Sequence, residues 1–428
     1  MKVKNLLLAS TFAIGALSTN AYDLVKRAKL TDDRFKTMDI TRDLGHDFYL
    51  NVSGWMSMDA MDLKDDAEKI DKIDSTLSTT DQIAQVNKIL DKYYDKEQLL
   101  RINAGLGFPI FSFEAFGAKI EPNFRMDASL LAMLTPRKTK LTMSDIITNL
   151  DQIPVELRTK LSSCLSGLTI GNDGDDLLTI CVPSALTQVE ADSIRATYDL
   201  TEIPYSHSLA TTSTETPLID VYAKAEVKGG LFFDYKKGTH WFGKLGLYTL
   251  YRVDVKKRAD ALLLLGGGGD IETADNGLAN LALDYRFGYK NSNYSVFAAI
   301  EEMTVAELSK SDKGEPLNFG DDMLLRLHAQ ADYKPAFFKL SPYAGFHKRD
   351  GYGIGDAYYL GADWGMYFFD DRLGLNLKTQ MDKEHITLGL RAKIWIIHAD
   401  LTGKFPIASE IDGVKVQGYY GGNVRIFF

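Results

Sequence analysis

The chain has 428 residues, 45% of them apolar, with 49 lysines and arginines against 58 acidic residues and a formal charge of −9. That length suits two or three soluble domains or one large barrel, and the acidic balance argues against a nucleic-acid partner. Aromatics at 11% and 35 glycines, with only 11 prolines, suit closely packed strands with few breaks, and two cysteines give no metal-type thiol spacing.

At the start of the chain, Lys2 and Lys4 precede an apolar run from Leu6 to Leu17, then Ser18, Thr19, Asn20 and Ala21. This is the pattern of a secretory signal, residues 1–21, cleaved after Ala21. The run is too short for a membrane-spanning helix, which needs about 20 apolar residues. No later segment qualifies, since the leucines at 262–265 run straight into four glycines. An exported chain without a helical anchor is periplasmic, secreted or a barrel. Residues 22–46 then form a short N-terminal segment, periplasmic or a plug.

Residues 47–428 read as strands with two insertions. Phe48 to Met58 alternates Leu50, Val52, Met56 and Met58 against Asn51, Ser53 and Ser57, and a second strand covers 100–108. A third covers about 110–130, where the apolar phase moves from Phe111 and Phe113 to Ala118, Ile120, Phe124 and Met126, predicting a bulge near 115–117. The first insertion, 59–98, keeps helical spacing through Ile70, Ile73 and Leu77, then Ile83, Val86, Ile89, Leu90 and Tyr93, with Thr79-Thr80-Asp81 as a start signal. It predicts a helical hairpin. Its acidic flank, Asp62, Asp65, Asp66 and Glu68, lacks the glycine-containing spacing of a calcium loop and reads as a solvated face. The second insertion, 135–216, carries Cys164 and Cys181, and an oxidising compartment predicts a disulfide between them. A loop this long folds inward as a constriction or outward as a surface domain.

From residue 217 the alternation recurs segment after segment. Along 219–236, Ile219, Val221, Ala223, Ala225, Val227, Gly229, Leu231, Phe233 and Tyr235 share one face opposite Asp220, Tyr222, Lys224, Glu226, Lys228 and Asp234. Further strands are read at 241–255, 277–289, 294–306, 323–333, 337–347, 357–369, 373–381, 386–396, 399–405 and 414–428. If they slipped by one residue, Arg252, Arg286, Arg326, Arg391 and Arg425 would face lipid at roughly 2 to 4 kcal/mol each near the midplane. The apolar face therefore points into the bilayer and the polar face lines the interior. Aromatics beside the short turns, such as Tyr235 with Trp241 and Tyr289 with Tyr294, fit an interfacial girdle. Long and short connections alternate, so the expected fold is all-β: a transmembrane antiparallel up-and-down β-barrel of about 14 strands with both termini periplasmic.

The terminal segment places Val414, Val416, Gly418, Tyr420, Gly422, Val424, Ile426 and Phe428 on one face. Ending on Phe428 with the aromatic Tyr420 before it, it resembles the closing strand that Gram-negative outer-membrane β-barrels present to their assembly machinery. That resemblance implies Tyr420 and Phe428 as the assembly signal, residence in the outer membrane of a Gram-negative bacterium, and outer-membrane lipids and the assembly machinery as partners. The run Leu99-Leu100-Arg101-Ile102-Asn103-Ala104-Gly105-Leu106-Gly107-Phe108-Pro109, following an acidic helical segment and leading to Phe111, Phe113 and Phe116, resembles the conjugal-transfer (TraF-type) barrels. These belong to the wider group of fourteen-stranded barrels that includes long-chain fatty-acid transporters.

Catalytic constellations are missing from the pattern. Ser206-His207-Ser208 and Ser53-Gly54 lack the glycine context and placed base of a nucleophile site, and Gly266 to Gly269 is not followed by the Lys-Ser of a phosphate loop. His328 and His347 read as hydrogen-bonded lumen residues, not as a metal pair. No enzyme activity, metal or cofactor is expected. The expected lumen lining is Arg101, Lys224, Lys244, Arg252, Arg286, Arg326, His328, Lys339, Arg391, Lys393 and Arg425. These basic residues, with Lys228 and Lys378, outnumber Glu226, Asp234, Asp254, Asp284, Asp332 and Asp363. An open interior would mildly prefer anions; a closed one would pair the two sets off. The sequence thus favours a channel for passive diffusion or transport of small solutes. The alternative is a surface structural, adhesion or conjugation-associated barrel acting through its long loops, with a homo-oligomer or a cell-surface partner open to either reading.

Overall fold

The computed structural model describes residues 22–40, 48–74, 76–77, 79–139, 154–165, 178–179, 181–197, 216–260, 277–310, 317–334, 338–369 and 372–427. The signal segment, Ser206 to Ser208, Gly266 to Gly269 and Phe428 lie outside them.

Fourteen long strands form the wall. They are β1 (Tyr49–Ser57), β2 (Gln98–Pro109), β3 (Ala118–Thr139), β4 (Thr216–Lys237), β5 (Trp241–Asp260), β6 (Leu278–Lys290), β7 (Tyr294–Lys310), β8 (Leu324–Ala331), β9 (Phe338–Lys348), β10 (Tyr358–Phe368), β11 (Leu373–Met381), β12 (His385–Ile394), β13 (Ile397–Pro406) and β14 (Tyr419–Phe427). Each pairs antiparallel with the next, and β1 pairs with β14 from Tyr49 opposite Phe427 to Ser57 opposite Tyr419. The ring is therefore a closed fourteen-stranded antiparallel β-barrel without a free edge. Closure is what a strand structure in hydrocarbon requires, because every backbone N–H and C=O then has a partner.

Side chains follow the two-residue period. Leu50, Ile102, Leu231, Leu247, Leu327 and Val424 are exposed on the outside, while Arg252, Arg326 and Arg425 are buried within. One barrel end carries both insertions and is called here the insertion end; the other carries the short turns and the start of β1.

Three local expectations change. Residues 110–117 do not bulge within one strand: β2 stops at Pro109, and a small hairpin pairs Phe113 with Ile120 and Ala115 with Ala118. Phe116 and Gly117 turn it at φ 52° and 72°, and two successive left-handed residues reverse the chain, which is why the apolar phase moved. The closing strand is also shorter than 414–428. Val414–Lys415 pairs with Glu410–Ile411 in a separate two-stranded hairpin around Asp412 and Gly413, at φ 50° and 80°.

The third change concerns Ile219 and Val221, which do not touch lipid. Both β3 and β4 run for 22 residues. Tilted by about 40°, such a strand climbs about 55 Å, twice the roughly 25 Å apolar band of an outer-membrane barrel. The surplus stands clear of the bilayer at the insertion end. There the helical hairpin, α2 (Ala60–Ile70) and α3 (Thr79–Leu90), covers it: Leu63, Ile70, Val86, Leu90 and Tyr93 pack on Ile219, Val221 and Leu134. Asp62, Asp65 and Glu68 are solvated, but Asp66 is buried, accepting hydrogen bonds from Tyr93 Oη at 2.8 Å and pairing with Lys92 at 2.9 Å. Within the second insertion, α4 (Val155–Leu165) and α5 (Gln188–Thr197) are described, and Cys164 is bonded to Cys181 with Cα atoms 5.7 Å apart.

Leu247→Arg, on the outer face of β5, is expected to cost roughly 2–4 kcal/mol, read from urea midpoints in lipid vesicles. Tyr93→Ala is expected to cost about 3–5 kcal/mol by emptying the seat of the hairpin and leaving Asp66 short of a donor, and to expose residues 60–90 to protease.

Candidate functional site: the plugged lumen

The interior is half filled by α1 (Leu24–Ile40). Asp23 starts this helix, its Oδ1 accepting from the amides of Val25 at 3.0 Å and Lys26 at 3.2 Å. The helix LVKRAKLTDDRFKTMDI carries charges around most of its circumference. Such a helix is poorly stable in water and finds no home in an apolar core. A charged barrel interior suits it.

The described charged partners of α1 come from the barrel, apart from the Asp32–Lys36 pair at 3.4 Å within the helix. Arg27 pairs with Glu97 and Glu384, both at 2.8 Å, and Arg34 with Glu384 at 2.7 Å. Asp33 receives Arg349 at 2.8 Å and Tyr352 Oη at 2.8 Å, and Lys29 reaches Asp322 at 2.8 Å. These wall residues lie in, or just beside, connections of the insertion end. Deeper in the barrel, Asp32 takes Lys224 at 2.6 Å and Arg101 at 3.0 Å, while Lys36 takes Glu302 at 2.5 Å and Glu226 at 3.4 Å. The start of α1 is therefore at the insertion end, where Tyr22 Oη donates to Glu97 at 2.8 Å, and its last turns reach mid-barrel. A narrow apolar seam adds Leu24, Val25, Ala28, Phe35 and Met38 against Trp55, Leu99, Leu131, Met133, Tyr222 and Tyr419.

A second inward piece supports the helix. Phe319, in the β7–β8 connection, is fully buried, with its amide donating to Asp254 Oδ2. Lys224, Arg252 and Arg349 stand 4.0, 4.7 and 5.2 Å from its ring centre, where the ring's negative face offsets part of their mutual repulsion.

Consecutive strand residues should face opposite ways, yet Glu301 and Glu302 both point inward. Glu302 has φ 58°, and the β6–β7 register shifts around Asp284, whose Oδ1 accepts the Glu302 amide at 2.8 Å. This bulge lets Glu301 serve Arg326 at 3.0 Å and Arg286 at 3.7 Å, while Glu302 serves Lys36, Arg252 at 2.8 Å and Arg349 at 2.9 Å.

The other half of the lumen is a vestibule of about 620 Å³ toward the short-turn end, reaching Tyr49, His240, Lys290 and Lys339 and bounded inward by Lys36 and Arg101. Its lining includes ten lysines and arginines against seven carboxylates. Among the residues expected from sequence, Arg101, Lys224 and Arg252 belong to the plug network, and Arg326 links that network to Glu301. Lys244 lies 3.6 Å from Asp234, Lys339 lies 3.3 Å from Asp332, and Arg425 donates to Asn51 at 3.3 Å, all on the vestibule wall. Arg391 pairs with Asp400 at 2.6 Å beside a smaller cleft, and Lys393 is half-buried in register with Gly374 and His398. His328 bonds Tyr359 Oη at 3.1 Å and stacks on Phe297 at 5.0 Å; His347 bonds Tyr352 Oη at 2.9 Å. Among the described residues no group of three or more His, Cys, Asp or Glu could hold a metal. Tyr420 is exposed near the start of β14.

No family model matches the chain, and no curated protein does. Among the solved structures that overlap it are two at low identity and low TM-score. A triple mutant of Rhodopseudomonas blastica porin is 9% identical over 89% of this chain and 99% of its own, with a TM-score of 0.27. The transport unit of the autotransporter AIDA-I from Escherichia coli is 9% identical over 95% and 99%, with a TM-score of 0.38. The finer likeness to conjugal-transfer and fatty-acid-transporter barrels is not shown by these comparisons.

Arg349→Ala would leave buried Asp33 without its guanidinium and take one of three cations from Glu302, and is expected to cost about 3–5 kcal/mol, measured by urea unfolding. Acid should release the helix. Burial alone would raise Glu384, in the β11–β12 turn, but Arg34 and Arg27 overrule it and hold its carboxyl well below the ordinary 4.5. A depressed carboxylate contributes its stability above the unfolded value and loses it as pH falls through the folded one. Amide protection factors in 24–38, referred to the intrinsic rate at each pH, should therefore hold from neutrality down to about pH 5 and fall below about pH 4.

Proposed function

We propose that this barrel is a plug-gated channel of the bacterial outer membrane that admits small solutes and performs no catalysis. The observation that carries the reading is the division of one lumen into an accessible basic vestibule and a plug held mainly by ion pairs. Ion pairs exchange for water and salt at modest net cost, whereas a dry apolar plug would not. Tightly paired charge in the plugged half sets the barrier; the excess cations of the vestibule set a preference for anions. In this reading the working partners are small solutes, outer-membrane lipids around the apolar belt and the barrel-assembly machinery during insertion.

A second reading is favoured by the helical hairpin. Docked on wall that rises beyond the bilayer, α2 and α3 would present a rigid surface to a partner, and the lumen would then be merely structural. Planar-bilayer recording separates the two. The unaltered chain is expected to pass small, rare currents, and Arg27→Ala/Arg34→Ala is expected to raise open probability by at least about tenfold, with anions more permeant than cations. Silence from both folded proteins would remove the channel and leave the surface reading.

A further inference from the structure

The rim at the short-turn end has two unlike halves. Gly238, Thr239 and His240 turn β4 into β5, and Asn291, Ser292 and Asn293 turn β6 into β7. These are ordinary turn residues, and the left-handed one among them is Gly238, at φ 61°. Round the far side, from β10 through β14 and β1 to the hairpin after β2, the left-handed residue of each tip is a bulky aromatic: Phe369 at φ 53°, Trp395 at φ 53° and Phe116 at φ 52°. That backbone is costly for such residues, so glycine or asparagine would be favoured if the turn alone mattered. Packing within the chain does not account for them either, since Phe116, Phe369 and Trp395 are 96%, 74% and 71% exposed. Aromatics kept at strained, uncovered positions have their partner outside the chain. The β8–β9 connection, where exposed Tyr333 stands between Asp332 and Lys334, is the border between the halves.

Two features identify that partner as lipid. The wall on the aromatic side has no height to spare: β10 to β14 and β1 are 9 to 11 residues long, the length that just crosses a bilayer, so their tips lie at its edge. The tips also continue the apolar belt, because Leu373, Ile394 and Ile397 stand exposed in one outward row that runs on through Ile426 to Leu50. Two of the turns form a single surface, the Trp395 amide donating to the Arg372 carbonyl at 2.7 Å. Asp370 and Asp371 follow Phe369 in sequence, which suits the headgroup boundary and not the hydrocarbon centre.

We propose that the aromatic half of this rim, led by Phe116, Phe369 and Trp395, is inserted at the headgroup–acyl boundary of the leaflet it meets, while the half carrying Thr239 and Ser292 stands in water. The barrel then leans, with its polar turns lifted clear of the membrane. The inference deepens the membrane part of the proposed function and rests on it, but not on conduction.

The test is nitroxide labelling of the full chain in phosphatidylethanolamine–phosphatidylglycerol vesicles, at Phe116→Cys, Phe369→Cys and Trp395→Cys, with Thr239→Cys and Ser292→Cys on the polar half and Leu247→Cys on the belt. The two native cysteines are bonded to each other, so the introduced thiol takes the label. Collision with oxygen and with a water-soluble nickel chelate should place the three aromatic-side labels about 5–10 Å into the headgroup–acyl boundary and leave the labels at 239 and 292 in water. Should a cysteine variant lose heat-modifiable mobility, the native indole serves: the emission lost in Trp395→Phe should be quenched by brominated lipid and shielded from aqueous iodide. Chelate access at 116, 369 and 395 equal to that at 239 and 292, or iodide quenching of Trp395, overturns the rim while a lipid-buried label at 247 keeps the membrane barrel. A label at 247 in water rejects the membrane reading and the rim with it. Spin–spin broadening between copies at 369 or 395 also overturns the proposal, because the rim then meets a second copy of the chain and not lipid.

Discussion

Charges taken out of water must meet opposite charges, and in this molecule that requirement joins helix to barrel. Asp32, Asp33, Arg27 and Arg34 are almost fully buried, as are Lys224, Arg252, Glu302 and Arg349 facing them. Neither set could stay ionised alone at tolerable cost. Such lattices add little net stability over a greasy core, but they punish misregistration heavily, so they act as a key that admits one helix in one position. The bulge at Glu302 and the inward tip at Phe319 serve this lattice, the first by adding an acid and the second by spacing its cations.

The outer surface obeys a simpler rule, and that is why so much of the barrel was legible. A strand between water and hydrocarbon alternates with period two, and lipid tolerates no compromise at Leu231 or Leu247, so strand positions and facing could be read residue by residue. The helices at 60–90 were legible for the kindred reason that Val86, Leu90 and Tyr93 must bury one stripe. Where two rules overlap, legibility fell. Ile219 and Val221 look like lipid-facing residues because a protein-covered apolar face carries the same signature. The reversal at Phe116 and Gly117 looked like a bulge because both disturb the phase of a strand.

The interior was legible as a list of charged positions and not as an arrangement. Arg101, Lys224 and Arg252 could be assigned inward from alternation, but their partners Asp32, Lys36 and Glu302 could not. The apolar seam of Leu24, Ala28, Phe35 and Met38 is too narrow, among charges on the other sides of the helix, to betray what α1 packs against, and only Asp23 as a helix start and the dense run of Lys, Arg and Asp at 26–36 mark the helix. Glu301 and Glu302 hide for a different reason, since period-two reading forbids both from facing one way and only a left-handed residue permits it.

Arg27 finds Glu384 across 357 positions of chain, and its other carboxylate sits at the head of β2. The lock of α1 therefore draws on both early and late parts of the wall. The full set of ion pairs on Arg27 exists only where strands distant in the chain have been brought to one rim, which ties the seating of the helix to the completeness of the wall around it.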